Sequence, residues 1–322
     1  MIGVEKQLQN LLELEQTTRL EMVERGLIMS TEGIKLHPCH SISLQGKLLS
    51  HYIITCSPSQ KKYFLKVVKD NDGALICNSY LKKTHNEDGS CPYPLILVPE
   101  IVLQGTKYYI TSFIAGKTLD ELPNPLPEKT WDEIADKLLF RLDELANIQA
   151  PQYSERSGFV SDDCATRLIR KFKQRLHHPA IAQFPSRKIE VTVERCFSIL
   201  EQSQYSPPSL LHMDVKPANI IYNSHTGNVS LIDFEFARFG DIDYGWTQVL
   251  LSGCNQFSMA YKQCLVPRLT KDRLSLQDAI EIPKFQCYLY YQLMCNLIYY
   301  HDRNLHCPNK LVLLFEQMTD RI

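Results

Sequence analysis

The chain has 322 residues, with 35 lysines and arginines against 36 aspartates and glutamates, for a net charge of −1. So even a balance excludes a nucleic-acid coat protein and a polybasic membrane binder, which both need a strong positive field. Hydrophobic residues at 44% and charged residues at 22% are ordinary for a globular chain, argue against general disorder, and fit one large domain or two modest ones.

The opening, MIGVEKQLQNLLELEQTTRLEMVERG, places Glu5 and Lys6 ahead of broken apolar spacing. It lacks the apolar centre and small-residue cleavage site of a secretory signal and reads as an amphipathic helix. Residues 48–56 (LLSHYIITC) and 62–69 (KYFLKVVK) are β-rich runs. Ser57-Pro58-Ser59-Gln60 between them signals a hairpin, because Pro58 sets one turn dihedral and removes a donor. A short helix is expected over 73–83. A second hairpin is expected from 95–103 and 107–114 around Gln104-Gly105-Thr106, with Pro99 making the first strand an edge or broken one.

After Gly116 the pattern becomes helical. NPLPEK reads as a linker, and Thr130 with Glu133 as a capping box. The following helix sets Trp131, Ile134, Ala135, Leu138, Leu142, Leu145 and Ala146 on one face, toward a core. Further helices are expected near 164–177 and 188–203, then a β-rich segment over 210–239 with Asn228 between its apolar runs, then a mostly helical 243–320. No apolar run approaches a membrane span of about eighteen residues, since even YLYYQLMCNLIYY is broken by Gln292 and Asn296. Eleven cysteines with no C-x-x-C pair suit reduced thiols in a cytoplasm better than a disulfide framework or structural zinc. The expected class is α+β: a small antiparallel-sheet domain over 1–114 joined by one strand to a larger, mainly helical domain over 115–322, with a cleft at the joint.

Residues 211–221 read Leu-His-Met-Asp-Val-Lys-Pro-Ala-Asn-Ile-Ile, and 230–235 read Ser-Leu-Ile-Asp-Phe-Glu. Asn219 stands five residues past Asp214, and Asp233 ends an apolar strand. Two oxygen ligands, Asn219 and Asp233, can hold Mg²⁺ between a nucleotide's phosphates while Asp214 accepts a hydroxyl proton, which is a layout for phosphoryl transfer.

These two segments resemble the catalytic and metal loops of the aminoglycoside phosphotransferase and choline kinase family, small-molecule relatives of the protein kinases. Phe113-Ile114-Ala115-Gly116-Lys117-Thr118-Leu119 resembles that family's hinge and Gly-x-x-Leu element, and Arg238-Phe239-Gly240-Asp241 its gly-asp stretch. The likeness covers roughly residues 40–250, most specifically the catalytic segment. It implies a two-lobed protein-kinase-like fold with ATP between the lobes, GTP being the alternative donor. It further implies Asp214 as base, Asn219 and Asp233 as Mg²⁺ ligands, and Lys66, in Phe64-Leu65-Lys66, as the phosphate-contacting lysine. Ser41 and Ser43, in the loop 40–47, and Ser112 and Ile114, at the hinge, are the other nucleotide-binding candidates.

The chain departs from the family in places. Residues 74–81 offer no glutamate to pair with Lys66, which leaves Asp70, Asp72 or no carboxylate for that role. The phosphate loop has one glycine where protein kinases have three. Gly245 stands where the family has a further aspartate, making Asp243 its expected structural substitute. His212 reads as an imidazole bonded to backbone that shapes the loop, and Glu235 as either a water-mediated metal contact or a solvated turn. Lys216 reads equally as a contact to the transferred phosphoryl group or as a surface lysine.

The acceptor is expected to be a hydroxyl-bearing small molecule, with an antibiotic, an amino alcohol and a sugar all open. Residues 250–275 hold Lys262, Arg268, Lys271 and Arg273 against Asp272, unlike a polycation site. The cations Arg167, Arg170, Lys171, Lys173 and Arg175 read as the solvated face of a helix in preference to an anion or partner site, and Phe285, Tyr288, Tyr290, Tyr291, Tyr299 and Tyr300 as core rather than an aromatic box. No nucleic-acid or membrane partner is expected, and nothing indicates an oligomeric state. Two other readings stand beside this one. A protein kinase is disfavoured because Asp233-Phe234-Glu235 replaces D-F-G and no Ala-Pro-Glu anchor follows, and a nucleotide-binding pseudokinase because Asp214, Asn219 and Asp233 are all intact.

Overall fold

The computed structural model of the chain describes residues 2–38, 51–67, 73–83, 99–105, 108–123, 126–155, 158–255, 257, 260–271 and 273–322. They fall into two compact units, Met1–Ala115 and Gly116–Ile322.

In the first unit the elements are α1 (Ile2–Glu24), β1 (Gly33–Pro38), β2 (His51–Ser57), β3 (Lys62–Val67), α2 (Gly73–Lys83), β4 (Ile101–Gln104) and β5 (Tyr108–Ser112). The five strands pair antiparallel in the order β1-β2-β3-β5-β4. Strict alternation along β2 buries Tyr52, Ile54 and Cys56, which join Ile34, Leu36, Leu65, Leu103, Ile110 and Met22 of α1 in one core. Each aliphatic side chain so buried contributes about 1.5–3 kcal/mol. Helix α1 is also tied by polar bonds: Leu36 N–H donates to Glu15 Oε2 at 3.1 Å, and the Tyr108 hydroxyl donates to Glu21 Oε2 at 2.5 Å.

Both hairpins form as expected. The first closes with Gln60 N–H donating to the Cys56 carbonyl at 2.8 Å, and the second with Gly105 N–H donating to Tyr108 at 2.9 Å. The strand of the second hairpin begins only at Ile101, after Pro99. There Asn78 of α2 takes over the pairing, its Oδ1 accepting from Ile101 N–H at 3.1 Å and its Nδ2 donating to the Pro99 carbonyl at 3.5 Å. Strand β1 has no counterpart among the sequence expectations.

The second unit runs β6 (Lys117–Thr118), α3 (Glu128–Asn147), β7 (Ser154–Glu155), β8 (Gly158–Phe159), α4 (Cys164–Leu176), α5 (Pro179–Ala182) and α6 (Ser186–Gln202). It continues with β9 (Ser209–Leu211), β10 (Ile220–Asn223), β11 (Asn228–Leu231), β12 (Arg238–Gly240) and α7 (Ile242–Ser252). A π-helical turn over Tyr261–Leu265 leads to α8 (Val266–Thr270), α9 (Leu276–Ala279), α10 (Pro283–Asp302) and α11 (Asn309–Arg321). Helix α10 is the core of this unit. Tyr288, Tyr290 and Tyr291 are buried among Phe172 of α4 and Phe315 of α11, so most of the aromatic run packs, although Tyr299 is 48% exposed. Gln292 bonds α10 to α7, its Nε2 donating to the Tyr244 carbonyl at 2.9 Å and Thr247 Oγ1 at 2.7 Å.

Two expectations are corrected here. Thr130 does not cap α3: the helix starts at Glu128, and the Pro127 carbonyl accepts from Thr130 N–H at 3.0 Å, so Thr130 lies inside the first turn. A capping box sits earlier, where Glu121 Oε2 accepts from both the N–H and the hydroxyl of Thr118 at 3.0 Å. Nor do all the cations of α4 form a solvated face, although Arg170 and Lys173 are exposed as expected. Arg167 is only 4% exposed, and its Nη1 donates to the Ser154 carbonyl at 2.8 Å.

Candidate active site

The site in the second unit is built on two short ladders. Strands β9 and β12 pair through Leu211↔Arg238, and β10 and β11 through Ile220↔Leu231 to Asn223↔Asn228. Ile220, Val229 and Leu231 are buried and fix the hairpin, so Asn219 is carried just before its first strand and Asp233 two residues past the end of its second. Ile232 N–H donates to the Asn219 carbonyl at 3.0 Å and continues the ladder between the two positions.

Residues 212–219 run from β9 to β10, with every turn of the backbone held. Val215 N–H donates to Gln248 Oε1 at 3.2 Å, the Tyr261 hydroxyl donates to the Val215 carbonyl at 3.3 Å, and Pro217 opens a 3-10 turn closed by Asn219 N–H on the Lys216 carbonyl at 2.9 Å. His212 is buried, its Nδ1 accepting from Asp214 N–H at 3.2 Å and its Nε2 meeting the Ile232 carbonyl at 2.8 Å. One neutral tautomer, protonated on Nε2, satisfies both bonds. Burial lowers the pKa of His212 below its ordinary value, more than Asp214 and the Ile232 carbonyl raise it. The ring meets Phe234 edge-on at 4.5 Å. Met213 and Asp233 hold φ near +60°, a conformation that non-glycine residues adopt at a cost of about 1–3 kcal/mol and that tends to mark functional loops.

Asp214 is the centre of this network. Its Oδ2 accepts from Lys216 Nζ at 2.7 Å and from Asn219 Nδ2 at 2.8 Å, and its carbonyl accepts from Asn219 Nδ2 at 2.9 Å. Since the amide nitrogen of Asn219 is committed to Asp214, its carbonyl oxygen is the atom that can serve a cation. Together with the Asp233 carboxylate it makes a set of hard oxygen donors, which fits Mg²⁺ and does not suit a soft metal.

The gly-asp stretch is structural. Asp241 is fully buried and caps α7, accepting from Asp243 N–H at 2.9 Å and Ser206 N–H at 3.0 Å. Burial raises its pKa, and Lys284 at 3.5 Å opposes that. Asp243, the expected structural substitute for the family's further aspartate, pairs with Lys284 at 2.5 Å at the half-exposed start of α7. The backbone of residues 212–219 is held at Val215 by Gln248, which sequence reasoning passed over. Gly116 explains the Gly-x-x-Leu element: with φ at +143°, a Cβ there would sit 2.5 Å from Ile221 Cγ2 and 2.8 Å from the Tyr222 carbonyl oxygen.

The nucleotide-side candidates belong to the first unit. Lys66 is on β3, 3% exposed, between His51 of β2 and Tyr109 of β5. Ser112 ends β5 at the surface opposite Tyr63, and Ile114 follows it, half-buried. Helix α2 carries no acidic residue. Ser41, Ser43, Asp70 and Asp72 lie outside the described residues. Hydrogen bonds therefore join Asp214, Lys216 and Asn219 directly and reach Asp233 through the backbone of Ile232.

The chain matches the family described as the phosphotransferase enzyme family, APH, over residues 81–263, more than half its length. No curated protein matches it. Among solved structures it is similar to a thermostable mutant of aminoglycoside phosphotransferase APH(4)-Ia in ternary complex with AMP-PNP and hygromycin B, with 16% identity, a TM-score of 0.64, and 93% of this chain and 98% of that one covered. It is similar to choline kinase LicA from Streptococcus pneumoniae at 14% identity and a TM-score of 0.55, covering 96% of this chain and 98% of the kinase. A Plasmodium vivax ethanolamine kinase gives 12% identity and a TM-score of 0.57, with 95% of this chain and 86% of that one covered. At such identities the likeness establishes the protein-kinase-like fold, with an antiparallel sheet in the N-terminal part and a helical C-terminal part. This enzyme belongs to the phosphotransferase enzyme family and has the fold of small-molecule kinases.

Proposed function

We propose that the enzyme transfers the γ-phosphoryl group of ATP to a hydroxyl of a small molecule, with Asp214 as the base. The observation that carries this reading is the grip on the Asp214 carboxylate, held by Asn219 and Lys216 at 2.8 and 2.7 Å. In such transfers the protein contributes mainly position and charge. Asp214 orients the acceptor hydroxyl and takes its proton, and Asn219 keeps the carboxylate aimed. Lys216, the counter-ion of Asp214, is close enough to move onto the transferred phosphoryl oxygens. Lys66 contributes a contact to the nucleotide phosphates, and Ser41, Ser43, Ser112 and Ile114 complete the nucleotide site. Mg²⁺ bound through Asn219 and Asp233 would supply charge neutralisation between the phosphates.

The small-molecule class is supported by the named relatives in fold, an aminoglycoside phosphotransferase and the choline and ethanolamine kinases. It is supported again by the chain between Asp233 and α7, which holds only a 3-10 turn over Phe234–Phe236 and the three residues of β12. No room is left there for a peptide-docking activation segment, which counts against a protein kinase. All cysteines among the described residues are free thiols, and no helix among them is long and apolar enough to cross a membrane. Those features fit the cytoplasm as the proposed compartment.

The test is Mg²⁺-dependent ADP release with wild type and Asp214→Ala across hydroxylated antibiotics, amino alcohols and sugars, repeated with GTP as donor. Asp214→Ala is expected to lower kcat by about 10²–10⁴-fold with ATP affinity within a few-fold. Equal turnover in the two proteins would sink the assignment.

A further inference from the structure

Helix α4 buries Leu168 and Phe172; Arg167, Lys171 and Arg175 lie on the side that meets β7 and α10, whereas Arg170 is exposed and pairs with Asp162 at 2.5 Å, and Lys173 lies over the Phe197 ring of α6. Lys171 Nζ pairs with Glu155 Oε1 at 3.2 Å, its side chain 15% exposed, but Arg170 shares the same oxygen at 3.0 Å. Arg175 lies over the Tyr291 ring at 5.1 Å, and its Nη1 reaches the Lys171 carbonyl at 3.3 Å. Arg238 spends its Nε on the Phe236 carbonyl at 3.3 Å. Among the described residues no carboxylate pairs with Arg167, Arg175 or Arg238. Arg167 Nη2 comes within 4.0 Å of where a Cβ on Gly240 would stand, and Gly240 and Arg238 are alternate residues of β12 and share its face, so the groups gather in one region, as the shifts of Lys171 and Tyr244 also register. Among the described residues Glu155, which Lys171 shares with Arg170, is the one carboxylate paired to any of these four cations.

This excess is local, since the whole chain is nearly neutral. Holding like charges together at partial burial is unfavourable, and an arriving anion relieves it. Guanidinium forks match carboxylate and phosphate oxygens in pairs. The cluster is tied to the loop of the proposed base through the β9–β12 ladder. Arg238 pairs across the ladder with Leu211, three residues before Asp214, which is about 10 Å of chain at most. An acceptor that bridges the two carries its hydroxyl at one end and its charge at the other.

We infer that the acceptor is an anion, carrying a carboxylate or phosphate group that Arg238, Lys171 and Arg175 receive while its hydroxyl meets Asp214. The inference rests on the phosphotransferase reading above. It sets this chain apart from cationic acceptors, which the same surface repels.

The test uses matched pairs that differ in the anionic group: glycerate against glycerol, and glucose 6-phosphate against glucose, with choline and hygromycin B as cationic controls. Direct binding is measured by calorimetry on enzyme loaded with Mg²⁺ and ADP, so that the nucleotide site is filled, and product formation is measured with ATP. The two pairs separate a carboxylate from a phosphate ligand. The anionic member of one pair is expected to bind at least tenfold more tightly than its neutral partner. Arg238→Gln and Lys171→Met are each expected to weaken that binding about tenfold, appearing in the acceptor KM more than in kcat, with Arg238→Lys recovering part of the loss. Failure of both anions to bind overturns the inference, as does turnover of a neutral or cationic acceptor that the two variants leave unchanged. In the second case Asp214-dependent phosphorylation still upholds the kinase reading. If instead an anion binds through Arg238 and is never phosphorylated, the site stands and the kinase reading fails.

Discussion

His212 joins the loop that carries Asp214 to the strand end that carries Asp233, through Nε2 on the Ile232 carbonyl at 2.8 Å. Its other nitrogen accepts the backbone N–H of Asp214 itself at 3.2 Å. A single buried ring thereby sets the relative position of two proposed functional residues.

Replacing His212 by alanine leaves a buried carbonyl and an N–H unsatisfied. The expected cost is about 2–4 kcal/mol of stability, together with a fall in kcat larger than any change in ATP affinity. Denaturant unfolding and steady-state kinetics on the same variant check this. An unchanged unfolding midpoint would contradict the role assigned to the ring.

The same residue gives a pH dependence. Its pKa in the folded protein is depressed from the ordinary 6.5 by burial. Its contribution is fully present above that value and is lost as pH falls below it, because the unfolded chain takes up the proton first. Wild type is therefore expected to lose more stability than His212→Gln between about pH 6.5 and 5, and urea midpoints across that range measure the difference.

Asn219 is expected to matter twice, by aiming Asp214 and by offering an oxygen to the cation. Asn219→Ala should raise the Mg²⁺ concentration for half-maximal rate at least tenfold as well as lower kcat. Asn219→Asp keeps an oxygen ligand but sets a second carboxylate against Asp214, so its kcat should fall while its Mg²⁺ requirement changes less. A Mg²⁺ titration of the rate distinguishes the two, and identical profiles would remove Asn219 from the proposed ligand set.

Gly116→Ala combines a disfavoured φ of +143° with a Cβ placed 2.8 Å from the Tyr222 carbonyl oxygen. Backbone cannot give way there as a flexible side chain does. A loss of about 2 kcal/mol or more is expected. Gly26→Ala, also at positive φ but with nothing within 4 Å, serves as the comparison and should cost less. Thermal or urea unfolding of the two variants measures it.

Lys171 sets a limit at alkaline pH on the inferred acceptor site. Burial, with Arg238 of β12 and Arg167 of its own helix adding to it, pushes its ammonium down to about 8 against the pull of Glu155 on β7. Acceptor KM is therefore expected to rise as pH climbs through about 8 in wild type and to stay flat there in Lys171→Arg, which remains charged. A pH series at saturating ATP gives the answer.

Elements whose signal is local were legible in the sequence. The two hairpins of the first unit follow from alternating apolar residues and their turns, and α3 from its apolar stripe. The five-residue spacing of Asp214 and Asn219 marked the pair that the structure joins by a hydrogen bond between side chains. What escaped depends on distant partners. Strand β1 ends in Pro38 and is specified by pairing with β2. Thr130 looked like a cap because Glu133 stands three residues after it, yet Pro127 is already placed to begin the helix. The cations of α4 looked solvated because helical spacing does not reveal that Ser154, Glu155 and Arg238 will close over them. Gln248 gave no signal at all, being one amide among many until Val215 N–H meets it.

The β10–β11 ladder has a practical corollary. Its base, at Ile220↔Leu231, carries the oxygens proposed to share a cation, whereas its tip, Ser224 to Gly227, turns through exposed residues. Lys137 Nζ holds the end of the turn at Gly227 and Arg141 Nε the second strand at Val229, before the ligand end is reached. Peptide spliced in after His225 would thus be insulated from the reaction, making this tip the natural place on the enzyme for a reporter or an affinity tag.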